Sequence, residues 1–234
     1  MPSRHPVEDL LQTNRFWLVD TVPSSTFPFF VLGAPIMGFQ SITMPEITLE
    51  TDEIIIKVDN PLWNLKSPHP LCPCGANMLD AYAEQLIKGT GNTFDYDYHD
   101  RLFNYEADRD PLDDSPIYCD QIETVIENMD VSSTTRRGIA ITWHPYDQFG
   151  KCAVPCLQWI QFLVRDGKLQ MKVLFRSNDV LLAMHANMYA LVHLQQYVAT
   201  ALGLPVGSYT HIVTVPHIYY KRDANEVQKW TVAT

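Results

Sequence analysis

A cysteine and an arginine stand at the two ends of a predicted β-hairpin. Cys156 precedes one run of β-branched, aromatic and aliphatic residues, and Arg176 follows the next such run. Between the runs, Asp166 and Gly167 form the pair that favours a two-residue turn with positive φ at both positions. Because such strands pair antiparallel, the two side chains should finish at the same end, roughly one side-chain length apart. A neighbouring guanidinium lowers the pKa of a thiol and favours the nucleophilic thiolate.

Polar side chains that suit a phosphorylated ligand recur near the ends of other predicted elements. A phosphate is held well by several guanidinium groups together with a hydroxyl donor. Each candidate also has a purely structural interpretation, such as a solvated arginine pair, a hydrogen-bonded strand histidine or a helix-capping asparagine. The candidates are Arg136, Arg137, Ser177, Asn187, His217 and Tyr219.

The elements that must position these groups follow from the spacing of apolar residues. Helical spacing predicts helices over 76–88, over 120–129, and from Asp179 or Asn187 to about residue 201. Strands with one long buried helix indicate an α+β fold, with a mixed twisted sheet and helices packed on one face. The aromatic stretch 93–105 either lines a pocket or covers the core. Alternating or β-branched runs predict strands over 53–58, 139–147, 158–164, 168–175 and 210–220.

Length and composition narrow the classes of protein. A chain of 234 residues suits one domain, and we expect residues 1–234 to form a single one. With 17 basic and 27 acidic residues, the net charge of −10 argues against a nucleic-acid partner but leaves room for a small arginine pocket. No apolar run is long enough to span a membrane, and the N-terminus lacks a secretory signal, which predicts the cytoplasm.

The five cysteines, an odd number without a signal peptide, indicate reduced thiols rather than a disulfide framework. Cys72 and Cys74 form a CxC pair that suggests a zinc or redox protein. No second ligand pair stands at the spacing of a zinc site, so we expect an ordinary loop and no bound metal. Metal analysis of the purified protein distinguishes the two interpretations.

Taken in order along the chain, these segments resemble the thymidylate synthase superfamily. That superfamily includes the folate-dependent thymidylate synthases and the pyrimidine nucleotide hydroxymethylases. The resemblance covers Asp120 to Tyr220. It rests on the Pro-Cys pair at Cys156, the Arg-Ser-Asn-Asp run from Arg176 after the hairpin, and the His-x-Tyr strand at His217. Each motif alone is weakly specific, whereas the ordered set is specific.

The resemblance implies a catalytic role for the thiol. Cys156 resembles the nucleophile that adds to carbon 6 of a pyrimidine and makes carbon 5 a carbon nucleophile. Arg176 and Ser177 would hold the nucleotide phosphate. Asp179 would orient the pyrimidine or the pterin, and Asn187 falls at the position that reads the carbonyl and ring-nitrogen edge of the base.

The resemblance also implies a homodimer in which the sheets of two copies pack together. Arg136 and Arg137 are similar to an arginine pair that the family lends across the interface to the phosphate bound by the partner. Those arginines would lie far from any active site in a monomer. His217 and Tyr219, two residues apart on one strand face, resemble the pair that binds the ribose 3′-hydroxyl.

The resemblance leaves the reaction product open. The expected reaction converts deoxyuridylate to thymidylate with 5,10-methylenetetrahydrofolate or a methanopterin analogue as one-carbon donor. The amide of Asn187 favours uracil, because it can both donate and accept, whereas a carboxylate there would favour cytosine. A hydroxymethylase that adds water instead of hydride and a non-catalytic nucleotide-binding homologue are the alternatives. Leu157 stands where the family has histidine, and Glu84 or Tyr82 is the candidate for the folate-side proton carrier.

Overall fold

The structure, a computed structural model, describes residues 48–63, 65, 71–89, 98–145 and 154–232. Within those ranges the chain forms helices and strands in mixed order, which confirms the predicted α+β class. The helices are α1 (Ala76–Lys88), α2 (Tyr98–Phe103), α3 (Gln121–Val131), α4 (Met184–Ala201) and α5 (Ala224–Val232). The strands are β1 (Leu49–Glu50), β2 (Ile54–Val58), β3 (Tyr105–Arg109), β4 (Pro116–Cys119), β5 (Ile139–Ile141), β6 (Leu157–Arg165), β7 (Lys168–Phe175), β8 (Asn178–Asp179), β9 (Val206–Val213) and β10 (Pro216–Ile218).

The central element is a five-stranded mixed sheet with the strand order β2-β9-β7-β6-β5. Strands β7 and β9 pair in parallel, and the other neighbours pair antiparallel. The β6–β7 hairpin turns at Asp166 and Gly167, whose φ angles are 52° and 70°. Positive φ at both positions is the geometry that the Asp-Gly pair predicts.

One face of this sheet is buried beneath α4. A row of paired residues crosses all five strands there, and every member is buried. Successive residues of a strand point to opposite faces, so residues paired across strands share a face. The buried row consists of Ile56, His211, Val173, Ile160 and Ala140.

The opposite face carries an apolar row that helix α4 does not cover. The side chains at its two ends are well exposed, with 57% of Ile55 and 41% of Ile141 open to solvent. The middle of the row is half-buried. The row consists of Ile55, Ile212, Leu174, Trp159 and Ile141.

The last predicted strand, 210–220, is wrong as a single element. The chain leaves the main sheet after Val213 and enters a second sheet with the order β1-β10-β8. Pro216, at the start of β10, has no backbone N–H to donate to a ladder, which favours a break before it. The break places β10 parallel to β8, with His217 beside Asp179.

One predicted helix has the expected bounds, and another begins between its two predicted starts. Helix α1 has the predicted bounds and ends at Gly89 with φ of 68°. The long helix α4 begins at Met184, so Asn187 lies inside it rather than capping it, and its N–H donates to the Ala183 carbonyl at 2.9 Å. Tyr197 of this helix is exposed, although the residues around it are mostly buried. No helix in the described ranges is long and apolar enough to span a membrane.

Candidate active site

The thiol of Cys156 lies half-buried at the entrance to β6. The next residue, Leu157, pairs with Phe175 at the end of β7, so Cys156 and Arg176 meet at one end of the hairpin. The backbone N–H of Arg176 donates to the Cys156 carbonyl at 2.8 Å. The hairpin therefore brings together the two residues that the sequence placed at its ends.

The guanidinium of Arg176 is fixed over the segment that leads into Cys156. Its Nε donates to the Pro155 carbonyl and its Nη2 to the Val154 carbonyl, each at 2.9 Å. A guanidinium carries five N–H groups, so these two bonds leave donors for an anion. Arg176 thus supports the loop of the thiol and keeps N–H groups for a phosphate.

Residue Leu157, directly after the thiol, is held through both of its backbone polar groups. Its N–H donates to the hydroxyl of Tyr98 at 3.1 Å, and its carbonyl accepts from the hydroxyl of Thr142. Tyr98 belongs to the aromatic stretch whose role the sequence left open. The contact places the hydroxyl of this tyrosine beside the residue that follows the thiol, and its side chain also packs against the core.

Asp179 and His217 lie next to each other because β8 and β10 pair in parallel. Asp179 accepts through Oδ1 from the backbone N–H groups of Leu181 and Leu182, both at 3.1 Å, and through Oδ2 from Arg222 at 2.6 Å. Only 12% of the Asp179 side chain is exposed. Its carboxylate is therefore held in one orientation by three donors.

The imidazole of His217 is held through Nδ1. That nitrogen lies 3.1 Å from the Ser177 hydroxyl and 3.4 Å from the Val215 carbonyl. These contacts fix the orientation of the ring. The ring stands perpendicular to that of Tyr219, with centroids 4.9 Å apart, so the predicted pair forms one contact surface.

Arg222 is a site residue that the sequence reading missed. Its guanidinium lies 4.1 Å from the ring centroid of Tyr219 and donates to both Asp179 and Asp223. Its hydrogen bonds to the carboxylates of Asp223 and then Asp179 raise the pKa of Arg222 above its ordinary value. The sequence offered no signal, because an arginine in a charged run after a strand is usually solvated.

Asn187 lies at the mouth of a chain of hydrogen-bonded side chains that runs into the core. Its Oδ1 accepts from the hydroxyl of Tyr82 at 2.9 Å, and its Nδ2 donates to Oδ1 of Asn178 at 3.2 Å. Asn178 donates in turn to Nε2 of His211 at 3.1 Å. Burial lowers the pKa of His211 to about 3, so the ring is neutral at physiological pH.

A comparison with protein families identifies the family of the chain. A family model described as Thymidylate synthase matches residues 62–231. The chain belongs to the thymidylate synthase family.

Relatives from several organisms match most of the chain, and each of the three below is named "Putative thymidylate synthase". The protein of Methanocaldococcus jannaschii is 40% identical over 79% of this chain and 82% of its own length. That of Methanosarcina barkeri is 36% identical over 71% and 72%. That of Methanothermobacter thermautotrophicus is 31% identical over 72% of each chain.

Family membership confirms the predicted resemblance and the fold class. Thymidylate synthases are enzymes that act on a pyrimidine nucleotide with a folate-type one-carbon donor. The general reaction class predicted from the motifs is therefore supported, while the substrate, the product and the residue roles remain proposals.

The arginine pair predicted to bind phosphate lies away from the thymidylate synthase site of its own chain. Arg136 and Arg137 are exposed and precede β5. The next residue, Gly138, accepts through its carbonyl from Phe162 N–H at 2.7 Å. Phe162 lies six residues along β6 from Cys156, which is about 20 Å of strand. The remaining predicted residues gather at the Cys156 end of the hairpin.

Of the two candidates for the folate-side proton carrier, the structure brings only Tyr82 to Asn187. Glu84 is exposed and pairs with Lys88 at 2.7 Å, one helical turn away. The two residues lie on different sides of α1, since a separation of two positions turns the helix by more than half a revolution.

Cys72 and Cys74 pack beside the turn that follows Asp179. Cys74 is buried, and its thiol lies 3.3 Å from the Leu182 carbonyl, to which it donates. The hydrogen-bonding contact with the neighbouring thiol of Cys74 lowers the pKa of Cys72 to about 7. The same bond, followed by burial, raises the pKa of Cys74. Cys74 therefore contacts Leu182, one of the two residues whose backbone N–H groups bind the carboxylate of Asp179.

Proposed function

We propose that the protein transfers a one-carbon unit from a methylene-pterin to carbon 5 of deoxyuridylate and forms thymidylate, with Cys156 as the nucleophile. The observation that carries this proposal is a half-buried thiol beside Arg176, with Ser177 next along the chain in contact with His217 and His217 paired with Asp179. A protein that only binds a nucleotide has no need of a thiol there. The geometry thus favours catalysis over binding alone.

The phosphate and ribose of the nucleotide have matching groups. Arg176 keeps N–H donors beyond its two carbonyl contacts, and Ser177 adds a hydroxyl beside it. His217, held through Nδ1 beside Ser177, would hydrogen-bond the ribose 3′-hydroxyl through Nε2, and Tyr219 lies against its ring. These contacts would place carbon 6 of the base toward Cys156.

The chemical step requires the thiolate because an unmodified pyrimidine is a poor carbon nucleophile. The sulfur of Cys156 bonds to carbon 6, and the electron pair of the carbon 5–carbon 6 double bond moves toward carbon 5 and the carbonyl at carbon 4. The amide of Asn187 supplies a fixed hydrogen-bond donor for that carbonyl as charge develops. Carbon 5 would then bond to the one-carbon unit, and loss of the carbon 5 proton with departure of the pterin nitrogen would leave an exocyclic methylene. A hydride from the reduced pterin, which is oxidised in turn, would convert that methylene to the methyl group and expel the Cys156 thiolate, which restores the ring.

The pterin substrate has a suitable acceptor in Asp179. A pterin edge presents N–H donors, and a carboxylate with 12% exposure held by backbone N–H groups is an acceptor of matching chemistry. The pterin supplies the one-carbon unit, as 5,10-methylenetetrahydrofolate or a methanopterin analogue. Arg222 shares the second oxygen of the carboxylate and would keep it turned toward the ring.

Hydroxymethylation is the second candidate function. One observation favours it, namely that the hydroxyl of Tyr82 bonds to Asn187 and provides a polar group beside the base. A polar group at that place can hold a water that reaches the one-carbon unit in place of a hydride. The product would then be a hydroxymethyl nucleotide.

A homodimer through the open face of the main sheet completes the proposal. The apolar row from Ile55 to Ile141 crosses the whole sheet and would be buried against its twin. Arg136 and Arg137 lie too far from Cys156 to bind the phosphate in their own chain. In the dimer they would instead bind the phosphate held by the partner.

Product identification tests the proposal. The purified protein is incubated with 5,10-methylenetetrahydrofolate, or a methanopterin analogue, and with each pyrimidine nucleoside monophosphate in turn. We expect a product heavier than deoxyuridylate by one CH2 unit; an increase of CH2O identifies the hydroxymethylase. Cys156→Ala should abolish the product, and Cys119→Ala, a thiol away from the site, should not. Absence of any product with every nucleotide and both pterins contradicts the proposal.

A further inference from the structure

Five polar side chains form one continuous chain of hydrogen bonds from the proposed base site into the core. It begins at half-buried Tyr82 on α1 and Asn187 on α4, and passes through Asn178 on β8 to His211 and Tyr209 on β9. Asn187 is 9% exposed, whereas His211 and Tyr209 are fully buried. The proposed mechanism uses only the outer end of this chain.

The two asparagine amides, as the structure places them, give the chain a direction. Nδ2 of Asn187 donates to Oδ1 of Asn178, so Nδ2 of Asn178 faces Nε2 of His211 at 3.1 Å, and in this arrangement the ring carries its single proton on Nδ1. That proton is donated to the hydroxyl of Tyr209, at 2.7 Å. Protonation of the ring would set the N–H on Nε2 of His211 against the N–H of Asn178, so two donors would face each other. Burial also opposes this protonation, because it lowers the pKa of His211.

The orientation of the Asn187 amide is therefore a property of the whole chain. If Asn187 turned over, its oxygen would face the oxygen of Asn178. Relief of that clash would require Asn178 to turn as well and the proton of His211 to move from Nδ1 to Nε2. Interior hydrogen bonds that are left unmade cost more than those that are exchanged with water, so a partial reversal is unfavourable.

The same orientation matters for the choice of base. Uracil presents an N–H at position 3 and a carbonyl at position 4, whereas cytosine presents a bare nitrogen and an amino group at these positions. An amide that offers oxygen to position 3 and N–H to position 4 matches uracil, and the reversed amide matches cytosine. Discrimination of this kind is lost when the amide is free to turn.

We propose that Asn178 and His211 are positioning residues that hold the Asn187 amide in one orientation and thereby make the site favour a uracil base over a cytosine base. This inference rests on the proposed nucleotide substrate. Neither residue touches the nucleotide; both act through Asn187. The apolar neighbours of His211, including Phe175 with its ring centroid 4.8 Å away, would accept a phenyl ring of similar shape.

The test uses His211→Phe in the full-length protein, with His211→Gln as the conservative variant. Calorimetry measures the dissociation constants of deoxyuridylate and deoxycytidylate, and the readout is their ratio. Loss of about one neutral hydrogen bond predicts that the ratio favouring deoxyuridylate falls roughly fivefold to tenfold in His211→Phe. Glutamine keeps a donor and an acceptor near the Nε2 position and should restore most of the ratio.

Val173→Ala is the matched control for a merely structural effect. Val173 pairs with His211 in the same buried row but has no part in the chain of hydrogen bonds. It should lower stability without changing the ratio. If His211→Phe shows no cooperative unfolding transition, Tyr209→Phe replaces it, since it removes the partner of Nδ1 and should also lower the ratio.

The outcomes separate the inference from the proposed function. A wild-type protein that binds neither nucleotide contradicts the function and the inference with it. A wild-type protein that prefers deoxyuridylate, with the same preference in His211→Phe or in Tyr209→Phe, overturns the inference alone. An equal fall of the ratio in Val173→Ala also overturns it.

Discussion

Subunit mixing tests whether each site is built from two copies of the chain. Two inactive variants are prepared: Cys156→Ala, which lacks the nucleophile, and Arg136→Ala/Arg137→Ala, which lacks the arginine pair. The arginines precede Gly138, which lies opposite Phe162, about 20 Å along β6 from Cys156. An extended arginine side chain reaches about 7 Å, so neither arginine can serve the phosphate site of its own chain.

The expected activity of the mixture follows from the geometry. Random exchange of equal amounts makes about half of the dimers mixed, and each mixed dimer has one complete site, formed by Cys156 of one chain and the arginines of the other. The mixture should therefore recover about one quarter of the activity of an equal amount of wild-type protein. Each variant alone should show almost none.

The assay is release of the carbon 5 proton of deoxyuridylate, measured after the two variants have exchanged subunits in mild denaturant. A mixture of each variant with itself, treated in the same way, controls for recovery from denaturant. No gain of activity in a mixture shown to contain mixed dimers would refute the shared site. Full activity of the double arginine variant by itself would refute the phosphate role of the pair.

Three further predictions follow from single contacts. Replacement of Arg222 by Met removes the charged partner of Asp179. Because the Arg222 side chain is 38% exposed, we expect the free energy of unfolding to fall by only about 1 kcal/mol. The KM for the pterin should rise roughly threefold to tenfold, and the affinity for the nucleotide should stay unchanged. Iodoacetamide should alkylate Cys72 with a midpoint near pH 7, whereas Cys119, whose pKa burial raises, should react only at higher pH. Replacement of Ile55 by Lys should convert the dimer to a monomer in sedimentation experiments.

Each of these has a contradicting result. An unchanged KM for the pterin in the Arg222 variant removes its role in positioning Asp179. Because the folded-state pKa of Cys72 lies below its ordinary value, ionised Cys72 stabilises the fold at high pH, and this contribution disappears as pH falls through about 7. Equal alkylation midpoints for the two thiols contradict that account. A dimer that persists with Lys at position 55 points to another interface.

Local chemistry explains what the sequence could predict. The Asp-Gly turn closes β6 and β7 and brings Cys156 and Arg176 to one end of the hairpin, and a shift of register between Leu157 and Trp159 then sets Cys156 beside Arg176. Helix α1 was predictable because its apolar spacing and its terminal Gly89 agree. His217 and Tyr219 were predicted to share the face of one strand; Tyr219 lies just beyond the end of β10, and the two rings are in contact.

What the sequence could not reveal depends on contacts between distant segments. Arg222 meets Asp179 across a sequence separation of 43, and only the break between β9 and β10 brings them together. His211 was read as one residue of an alternating strand, and its importance arises from Asn178, which is in a different sheet. No pattern within a strand signals such a partner.

The most direct test of the central claim is the bond between Cys156 and the pyrimidine. The protein is incubated with 5-fluorodeoxyuridylate and methylenetetrahydrofolate or its methanopterin analogue, because fluorine at carbon 5 cannot leave as a proton and the adduct persists. Peptide mass spectrometry should find the nucleotide attached to Cys156, with no adduct in Cys156→Ala. A protein that forms product yet carries no adduct, or carries it on another cysteine, would contradict the account.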